Sequence, residues 1–202
     1  GGSKALSNVH FEMEEGEVHA LLGENGAGKS TLMNILTGVI PADSGKIIFM
    51  GKEYVTPTIK EMENAGIAFV HQELNVINDL SVADNIFLRK ELKTKLGLID
   101  EKEQIKKTKE LFESLGVEMN PSEMVSNLKT SEKQLLEICK ALYSDAKLLI
   151  LDEPTTALSN DEIDHLFGIL NRLKKTGKSF VFISHKMPEI FAIADKYTVF
   201  RN

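Results

Sequence analysis

Residues 23–31 read G-E-N-G-A-G-K-S-T, which matches the spacing G-x-x-x-x-G-K-[ST]. The inner glycines allow successive backbone N–H groups to turn toward one point, because no Cβ blocks the approach. Lys29 adds a cation, and the hydroxyl of Ser30 can ligate Mg²⁺. A strand-like run at 17–22 precedes the stretch, and 29–37 reads as a helix whose N-terminus carries partial positive charge. The pattern predicts a phosphate-binding loop; the alternative is a glycine-rich turn between a strand and a helix.

Contacts to a nucleotide are expected along the whole loop, because its backbone N–H groups surround the phosphates. The candidate residues are Gly23, Glu24, Asn25, Gly26, Ala27, Gly28, Lys29, Ser30 and Thr31. Lys29 is expected against the β- and γ-phosphates, and Ser30 is a candidate metal ligand.

A second part of the site is indicated where the hydrophobic run 148–151 ends in Asp152 and Glu153. In an enzyme with a phosphate-binding loop, an aspartate at the carboxyl end of a buried strand can hold Mg²⁺ through its water shell. Glu153 would lie toward the γ-phosphate, where it can accept a proton from the attacking water. The alternative is a strand followed by an acidic turn.

A histidine is the last candidate for this site. The run 179–183 is short and apolar, as a buried parallel strand should be, and Ser184 and His185 follow it. Ligands of open α/β sheets bind outside the carboxyl ends of the strands. We therefore expect His185 to lie at the ligand edge and to hydrogen-bond the γ-phosphate.

Length and composition limit the possible classes of protein. The 202 residues suffice for one domain with a sizeable core, or for a core with a small subdomain. The net charge of −6 argues against a nucleic-acid partner. No apolar run reaches the roughly 18 residues of a membrane span. The single Cys139 excludes an internal disulfide, and its place on the apolar face of a predicted helix indicates a core residue. The chain begins at Gly1 without a methionine, and we expect it to be part of a longer protein.

The order of the predicted elements indicates an α/β core with a helical insertion. Strand patterns lie at 8–13, 17–22, 46–50, 67–70, 147–151, 179–183 and 196–200. Helix patterns lie at 29–37, 58–64, 81–89, 101–115, 131–143, 160–175 and 187–194. Capping residues mark three helix starts, at Ser81, Asp100 and Ser159.

Together these residues resemble the ATP-binding cassette of ABC transporters over nearly the whole chain. The resemblance includes a Q-loop glutamine, Gln72, the run 152–158 that leads into a D-loop, and the switch histidine His185. It implies an α/β fold with a P-loop NTPase (RecA-like) core, an antiparallel β subdomain and an inserted α-helical subdomain. The expected boundaries are 1–71 and 144–202 for the core with its β subdomain, and 72–143 for the helical subdomain.

The same resemblance implies an ATPase with ATP and Mg²⁺ as cofactors. Ser30, Gln72 and Asp152 would hold the metal. Catalysis would rest on Lys29, Gln72, Glu153 and His185. Gln72 would also couple the core to the helical subdomain.

Four segments resemble the monosaccharide-import ATPases of bacteria, which serve ribose, galactose or xylose uptake: 71–75, 80–88, 137–142 and 183–187. Those proteins carry two cassettes on one polypeptide, and this chain looks like the first. The implied partners are a second ATP-binding cassette, in the same polypeptide or as a homodimer, and membrane permease subunits on the helical subdomain. A periplasmic or extracellular sugar-binding protein would act indirectly. The implied location is the cytoplasmic face of the cell membrane, with peripheral attachment.

Two departures from the family pattern affect the expected mechanism. The signature L-S-G-G-Q would fall at 128–132, which reads L-K-T-S-E. In the family that motif donates hydrogen bonds to the γ-phosphate of a partner cassette, and the altered segment here is poorly suited to do so. We therefore expect one competent site per pair of cassettes. The alternative is that the backbone here still binds phosphate. No aromatic residue precedes Phe11. The aromatic that the family stacks on adenine therefore lies upstream of this chain, or adenine is held less well.

Two other functions stay open at this point. One is a non-transport ABC ATPase that acts on DNA or ribosomes, which the short helical region and the net charge of −6 oppose. The other is a cassette that holds ATP as a structural or regulatory clamp with little hydrolysis. The altered signature favours the clamp, and the intact Lys29, Asp152, Glu153 and His185 oppose it.

Overall fold

A parallel β-sheet forms the centre of the fold. The computed structural model describes residues 6–24 and 26–201. The strands within them are β1 (Val18–Gly23), β2 (Ile47–Phe49), β3 (Lys52–Tyr54), β4 (Ile67–Val70), β5 (Leu148–Asp152), β6 (Ser179–Ile183) and β7 (Lys196–Phe200). Five of them form the sheet in the order β4-β5-β6-β1-β7, all neighbours parallel, and β2 pairs antiparallel with β3.

Helices connect the parallel strands, as the α/β prediction requires. Those in the described residues are α1 (Lys29–Leu36), α2 (Ile59–Ala65), α3 (Val82–Ile86), α4 (Glu101–Leu115), α5 (Thr130–Tyr143), α6 (Asn160–Lys174) and α7 (Met187–Ile193). A 3₁₀ turn, Val125–Asn127, precedes α5. None of the described helices combines the length and the hydropathy needed to cross a membrane.

The predicted capping residues begin their helices as expected. Ser81, Asp100 and Ser159 each accept a hydrogen bond from the backbone N–H three residues further on, which satisfies an otherwise unpaired donor of the first turn. The helix predicted over 81–89 ends at Ile86, however. Arg89 has a φ of 65°, a left-handed conformation through which a right-handed helix cannot continue.

Helices cover both faces of the sheet, and the sheet separates the core into two clusters. Successive side chains of a strand point to opposite faces, so neighbouring residues of β5 enter different clusters. Leu149 packs with Ile138 of α5 and Leu166 of α6, whereas Ile150 packs in the cluster that holds Met33 of α1. Burial on both faces explains why β5 and β6 read as continuous apolar runs.

The strand predicted at 8–13 is wrong, because these residues are described and join no sheet. Phe11 and Met13 pack against the core while the residues between and beside them are exposed. The alternation therefore reflects half-burial of an irregular segment. A strand needs in addition a neighbouring backbone for its N–H and C=O groups, and this segment has none in the sheet.

The strand predicted at 46–50 is present in shortened form as β2, and its partner β3 was not predicted. Met50 and Gly51 connect the two strands with φ values of 49° and 77°. Two consecutive positive φ angles are typical of the type I′ turn, whose twist suits a hairpin. The pair supplies the antiparallel element that the family resemblance implied. β3 escaped prediction because it has three residues, two of them exposed.

The strand registers bring the loops of interest to one edge of the sheet. Asp152 lies opposite Ile183 in the β5–β6 pair, and Leu21 lies opposite Ile183 in the β1–β6 pair. Since the strands are parallel, the segments that follow β1, β4, β5 and β6 all leave from this edge. We call it the ligand edge.

Cys139 gives a direct test of the core. The side chain is 0% exposed in α5, and burial raises the pKa of its thiol to about 12. We expect this thiol to react with an aromatic disulfide reagent at mildly alkaline pH only after guanidinium has unfolded the protein. The rate of colour release with and without denaturant measures the difference. Rapid reaction of the folded protein would contradict the buried position.

Candidate functional site

The predicted phosphate loop joins the end of β1 to the start of α1. Ala27 is buried, and its N–H donates to the Glu24 carbonyl at 3.1 Å, which closes a turn inside the loop. Gly28 precedes α1 with a φ of 98°, and no side chain among the described residues caps the helix there. The first N–H groups of α1 therefore stay available to an anion. Asn25, also predicted as a nucleotide contact, lies outside the described residues.

Gly23 is required by close packing as well as by its backbone conformation. Its φ is 147°, and a Cβ at this position would lie 2.7 Å from the carbonyl oxygen of Phe200 in β7. Any side chain would therefore force β7 away from β1. Gly26 differs, because its φ of 86° favours glycine but a Cβ there would meet nothing within 4 Å in the described part of the chain.

The ammonium group of Lys29 lies inside the loop. Its Nζ donates to the carbonyl oxygens of Gly23, at 2.6 Å, and Glu24, at 3.1 Å. Charged oxygens make stronger partners for an ammonium group than neutral carbonyls, so a phosphate that enters the loop can replace them. Ser30 is exposed in the first turn of α1, and Thr31 beside it is half-buried. The Ser30 hydroxyl is thus accessible to a metal ion.

Asp152 ends β5 in an environment that disfavours an isolated negative charge. Burial raises the pKa of this carboxyl group, and the neighbouring Glu153 carboxylate raises it further, whereas His71 and Lys29 oppose the shift. The influence of Lys29 indicates that the phosphate loop and Asp152 share one electrostatic environment. A cation bound here would relieve the desolvation and the repulsion at once.

Glu153 and His185 are in contact. The Glu153 Oε1 lies 2.9 Å from Nδ1 of His185, and the two side chains are 14% and 75% exposed. The other oxygen, Oε2, is buried and has no hydrogen-bond partner in the part of the chain that the structure describes. Buried polar atoms are usually hydrogen-bonded, so Oε2 is suited to accept a hydrogen bond from a water or a ligand. Glu153 also has a φ of 48° and donates its N–H to the Ile183 carbonyl at 2.9 Å.

Gln72 lies two residues beyond the end of β4, at the ligand edge and exposed. In the described residues no hydrogen bond joins it to Asp152 or Glu153. The residue before it, His71, was not predicted as part of the site, although its charge bears on Asp152. His71 also stacks on Phe69, with ring centroids 3.9 Å apart. The available signal was its position directly after β4, comparable to that of His185 two residues after β6.

The donor set fits a magnesium ion better than a metal held by protein alone. Nowhere in the described residues do three or more His, Cys, Asp or Glu side chains gather into a metal site. The candidate oxygen ligands are the Ser30 hydroxyl, the Asp152 carboxylate and the side-chain carbonyl of Gln72. Mg²⁺ is commonly bound by one or two such groups together with phosphate and water oxygens.

Comparison with known proteins assigns the family. The sequence profile described as ABC transporter matches residues 6–156. The chain belongs to the ABC transporter family. This confirms the family resemblance seen in the sequence, and we refer to the chain below as the cassette.

Curated relatives match the whole cassette. It is 50% identical over 202 residues to the ribose import ATP-binding protein RbsA of Lacticaseibacillus paracasei. The matched region comprises 100% of this chain and 40% of that protein. The cassette is 49% identical over 203 residues to the L-arabinose transport ATP-binding protein AraG of Geobacillus stearothermophilus, of which it covers 39%. The chain thus spans about 40% of the length of the curated relatives it matches.

Solved structures confirm the predicted fold class. A nucleotide-free ATP-binding cassette from an ABC transporter superimposes with a TM-score of 0.86 at 26% identity, over 99% of this chain and 83% of that one. The ADP conformation of another such cassette superimposes with a TM-score of 0.83 at 25% identity, over 97% of this chain and 81% of that one.

The segment in place of the family signature begins α5. Leu128 ends the 3₁₀ turn, and the N–H of Lys129 donates to the Glu132 carboxylate at 2.7 Å. An acidic side chain stabilises a helix N-terminus but repels a second anion there. The start of the cassette's α5 is therefore poorly suited to a phosphate, in contrast to the start of α1.

Alanine at two of the three loop glycines, Gly23 and Gly26, separates the effect of a steric clash from the effect of backbone conformation. We expect Gly26→Ala to lower the free energy of unfolding by about 1–2 kcal/mol, the cost of a left-handed backbone for a residue with a Cβ. Gly23→Ala should lower it further, because the methyl group would meet Phe200. Urea denaturation of both variants measures the difference. Equal destabilisation would contradict the close approach of β7.

Proposed function

We propose that the cassette binds and hydrolyses ATP and thereby energises import of a monosaccharide through a membrane permease. The observation that carries the proposal is the convergence at the ligand edge of the Lys29 ammonium, the Asp152 carboxylate and the Glu153–His185 pair. The names of the curated relatives support sugar import and include both ribose and L-arabinose.

ATP would lie with its phosphates in the loop 23–31. The free N–H groups of α1 and the Lys29 ammonium would donate to the phosphate oxygens, which would replace the carbonyl partners that Lys29 has here. Ser30, Asp152 and Gln72 would hold Mg²⁺, which when bound neutralises charge on the β- and γ-phosphates. The raised pKa of Asp152 supports this assignment, because a cation favours the ionised carboxylate.

Glu153 would act as the general base. Its Oε2, which has no hydrogen-bond partner among the described residues, is buried next to the edge where the γ-phosphate would lie, and it can accept a proton from the attacking water. A carboxylate only accepts hydrogen bonds, so Nδ1 of His185 carries the proton in their contact. That contact orients the imidazole, whose other nitrogen would steady the γ-phosphate. Most of the rate enhancement would come from positioning and charge neutralisation.

A second cassette would complete the site. We propose a head-to-tail pair, within one longer polypeptide or as a homodimer, in which the partner's signature meets the nucleotide on this cassette. The Glu132 carboxylate at the start of α5 opposes the reverse arrangement, so that one competent site is expected per pair when the partner is a different cassette with its own signature. In a homodimer both sites would meet this same start of α5. The length of the curated relatives is consistent with a second cassette in the same chain.

The helical subdomain, 72–143, would dock on the permease at the cytoplasmic face of the membrane, and the core would comprise 1–71 and 144–202. A sugar-binding protein on the other side of the membrane would act indirectly through that permease. Closure of the cassettes around ATP would drive the permease, because the closed state is favoured only while the nucleotide is intact.

The altered start of α5 also favours a second candidate function, an ATP-holding clamp with little turnover. Stoichiometric retention of unhydrolysed ATP by the complete protein would favour the clamp. Steady release of phosphate from that protein would favour the ATPase.

The variant Glu153→Gln tests the general base. In the complete protein we expect it to bind MgATP with near-normal affinity and to lose turnover by on the order of 10²–10⁴-fold, since the amide cannot accept a proton from water. Phosphate release and equilibrium binding measure the two properties. Glu110→Gln is a matched control on the exposed face of α4 and should leave both unchanged. Full turnover by Glu153→Gln would remove Glu153 from this role.

The variant Lys29→Ala tests the phosphate loop. We expect calorimetry with MgATP to show at least about a hundredfold loss of affinity, because the loop loses its one ammonium group and charge-assisted bonds are the strong ones. Lys46→Ala, which removes an exposed lysine paired with Glu53, serves as the control. Unchanged affinity of Lys29→Ala would refute the loop assignment.

A further inference from the structure

A buried carboxylate behind the site connects its two catalytic turns. Glu189 lies in the first turn of α7 and is 8% exposed. We propose that Glu189 is a positioning residue, which holds Glu153 and His185 at the separation needed for hydrolysis. The inference rests on the proposed ATPase function and adds a residue that does not itself touch nucleotide.

One oxygen of Glu189 accepts two hydrogen bonds. The hydroxyl of Thr155 donates to Oε2 at 2.7 Å, and the hydroxyl of Ser184 donates to the same atom at 3.1 Å. Thr155 is 0% exposed and Ser184 is 2% exposed. Because hydrogen bonds to a charged group are stronger than neutral ones and water is excluded here, both hydroxyls should be held firmly.

The two donors stand next to the two catalytic residues in sequence. Thr155 follows Glu153 by two residues, and Ser184 precedes His185 directly. The contact between Glu153 and His185, at 2.9 Å, joins the other ends of the two turns. A closed ring therefore runs from Glu153 to Thr155, across Glu189 to Ser184, and back through His185.

Backbone contacts stiffen the same ring. The Glu153 N–H donates to the Ile183 carbonyl at 2.9 Å, and the Lys186 N–H donates to the Ser184 hydroxyl at 3.1 Å. Glu153 itself has a φ of 48°, which costs free energy and persists only where the surroundings enforce it. Besides the contact between Glu153 and His185, the Glu189 carboxylate ties the turn after β5 to the turn after β6 through side chains.

The charge on Glu189 matters as well as its shape. Its second oxygen, Oε1, lies 3.0 Å from the ammonium of Lys186. A glutamine there could still accept from the two hydroxyls, but its amide N–H groups would then face that ammonium. Glu189→Gln should therefore loosen the ring without creating a cavity.

The competing explanation is that Glu189 only stabilises the packing of α7, and kinetics distinguish this structural role from a positioning role. If Glu189 has only a structural role, its substitution would change the free energy of unfolding and leave the turnover of folded molecules unchanged. A positioning residue affects kcat while the KM for ATP and MgATP binding stay near normal, because the phosphate loop is not part of the ring.

The experiment compares Glu189→Gln, Thr155→Val and Ser184→Ala in the complete protein. We expect each to lower kcat by about tenfold or more, since small displacements of catalytic groups cost one to two orders of magnitude, with the KM for ATP within about twofold. Glu17→Gln is the matched control: Glu17 is a buried carboxylate 2.6 Å from His19, in the residue before β1 and so at the opposite end of the sheet. It should lower stability and leave kcat unchanged.

A second readout tests the coupling directly. In a His185→Ala background, Glu189→Gln should lower kcat by less than about twofold, because the separation of Glu153 and His185 that Glu189 sets no longer affects the reaction. An effect on kcat that multiplies in full would overturn the proposal. Should Glu189→Gln fail to fold, Thr155→Val and Ser184→Ala carry the same comparison.

The outcomes also separate this inference from the proposed function. If Glu153→Gln abolishes turnover while the three ring variants match Glu17→Gln in kcat, the inference fails and the ATPase assignment stands. If Glu153→Gln turns over normally, the ring has no general base to position, and the inference fails together with that role.

Discussion

The alignment of parallel strand ends is the constraint on which the site depends. β6 lies between β5 and β1 in the sheet, and the three strands end at close to the same level. The phosphate loop after β1, the carboxylates at the end of β5 and the histidine after β6 therefore meet at one edge. The resulting edge gathers two carboxylates and one ammonium, all on partly buried residues. Burial raises the pKa of Asp152, and an oxygen of Glu153 has no hydrogen-bond partner among the described residues. Such an edge is electrostatically incomplete by itself and is suited to a magnesium-bound anion.

Local signals allowed much of the fold to be predicted from sequence. Helix starts at Ser81, Asp100 and Ser159 were predictable because a capping side chain and the backbone N–H that donates to it lie within one turn of each other. The prediction failed at two segments whose local pattern does not reveal whether the backbone has a pairing partner. The segment 8–13 alternates like a strand but has no neighbour in the sheet, and β3 forms because a tight turn folds it back on β2. Half-burial produces alternation whether or not a ladder exists.

The candidate site divides along the same line. The loop 23–31 and the carboxylates after β5 could be assigned from sequence, because their chemistry is written in consecutive residues. The packing of Gly23 against Phe200, and the bridge from Thr155 through Glu189 to Ser184, join residues far apart in the chain. Glu189 looked like an ordinary acidic residue in the first turn of a helix. Only its burial, with two hydroxyls on one oxygen, separates it from a surface glutamate.

Two helix N-termini of this cassette differ in what they offer a phosphate. At α1 the residue before the helix is glycine and no described side chain caps the first turn, so the N–H groups and the Lys29 ammonium are open to an anion. At α5 the Glu132 carboxylate already occupies that position. Because the field of a helix terminus extends little beyond its first turn, a local carboxylate decides the sign of the interaction. In a head-to-tail pair that contains this cassette, the start of α1 would attract the phosphates of its own nucleotide, and the start of α5 would repel the phosphates of the partner's nucleotide. The asymmetry follows from one acidic side chain, and it favours a partner whose corresponding helix start carries no such charge.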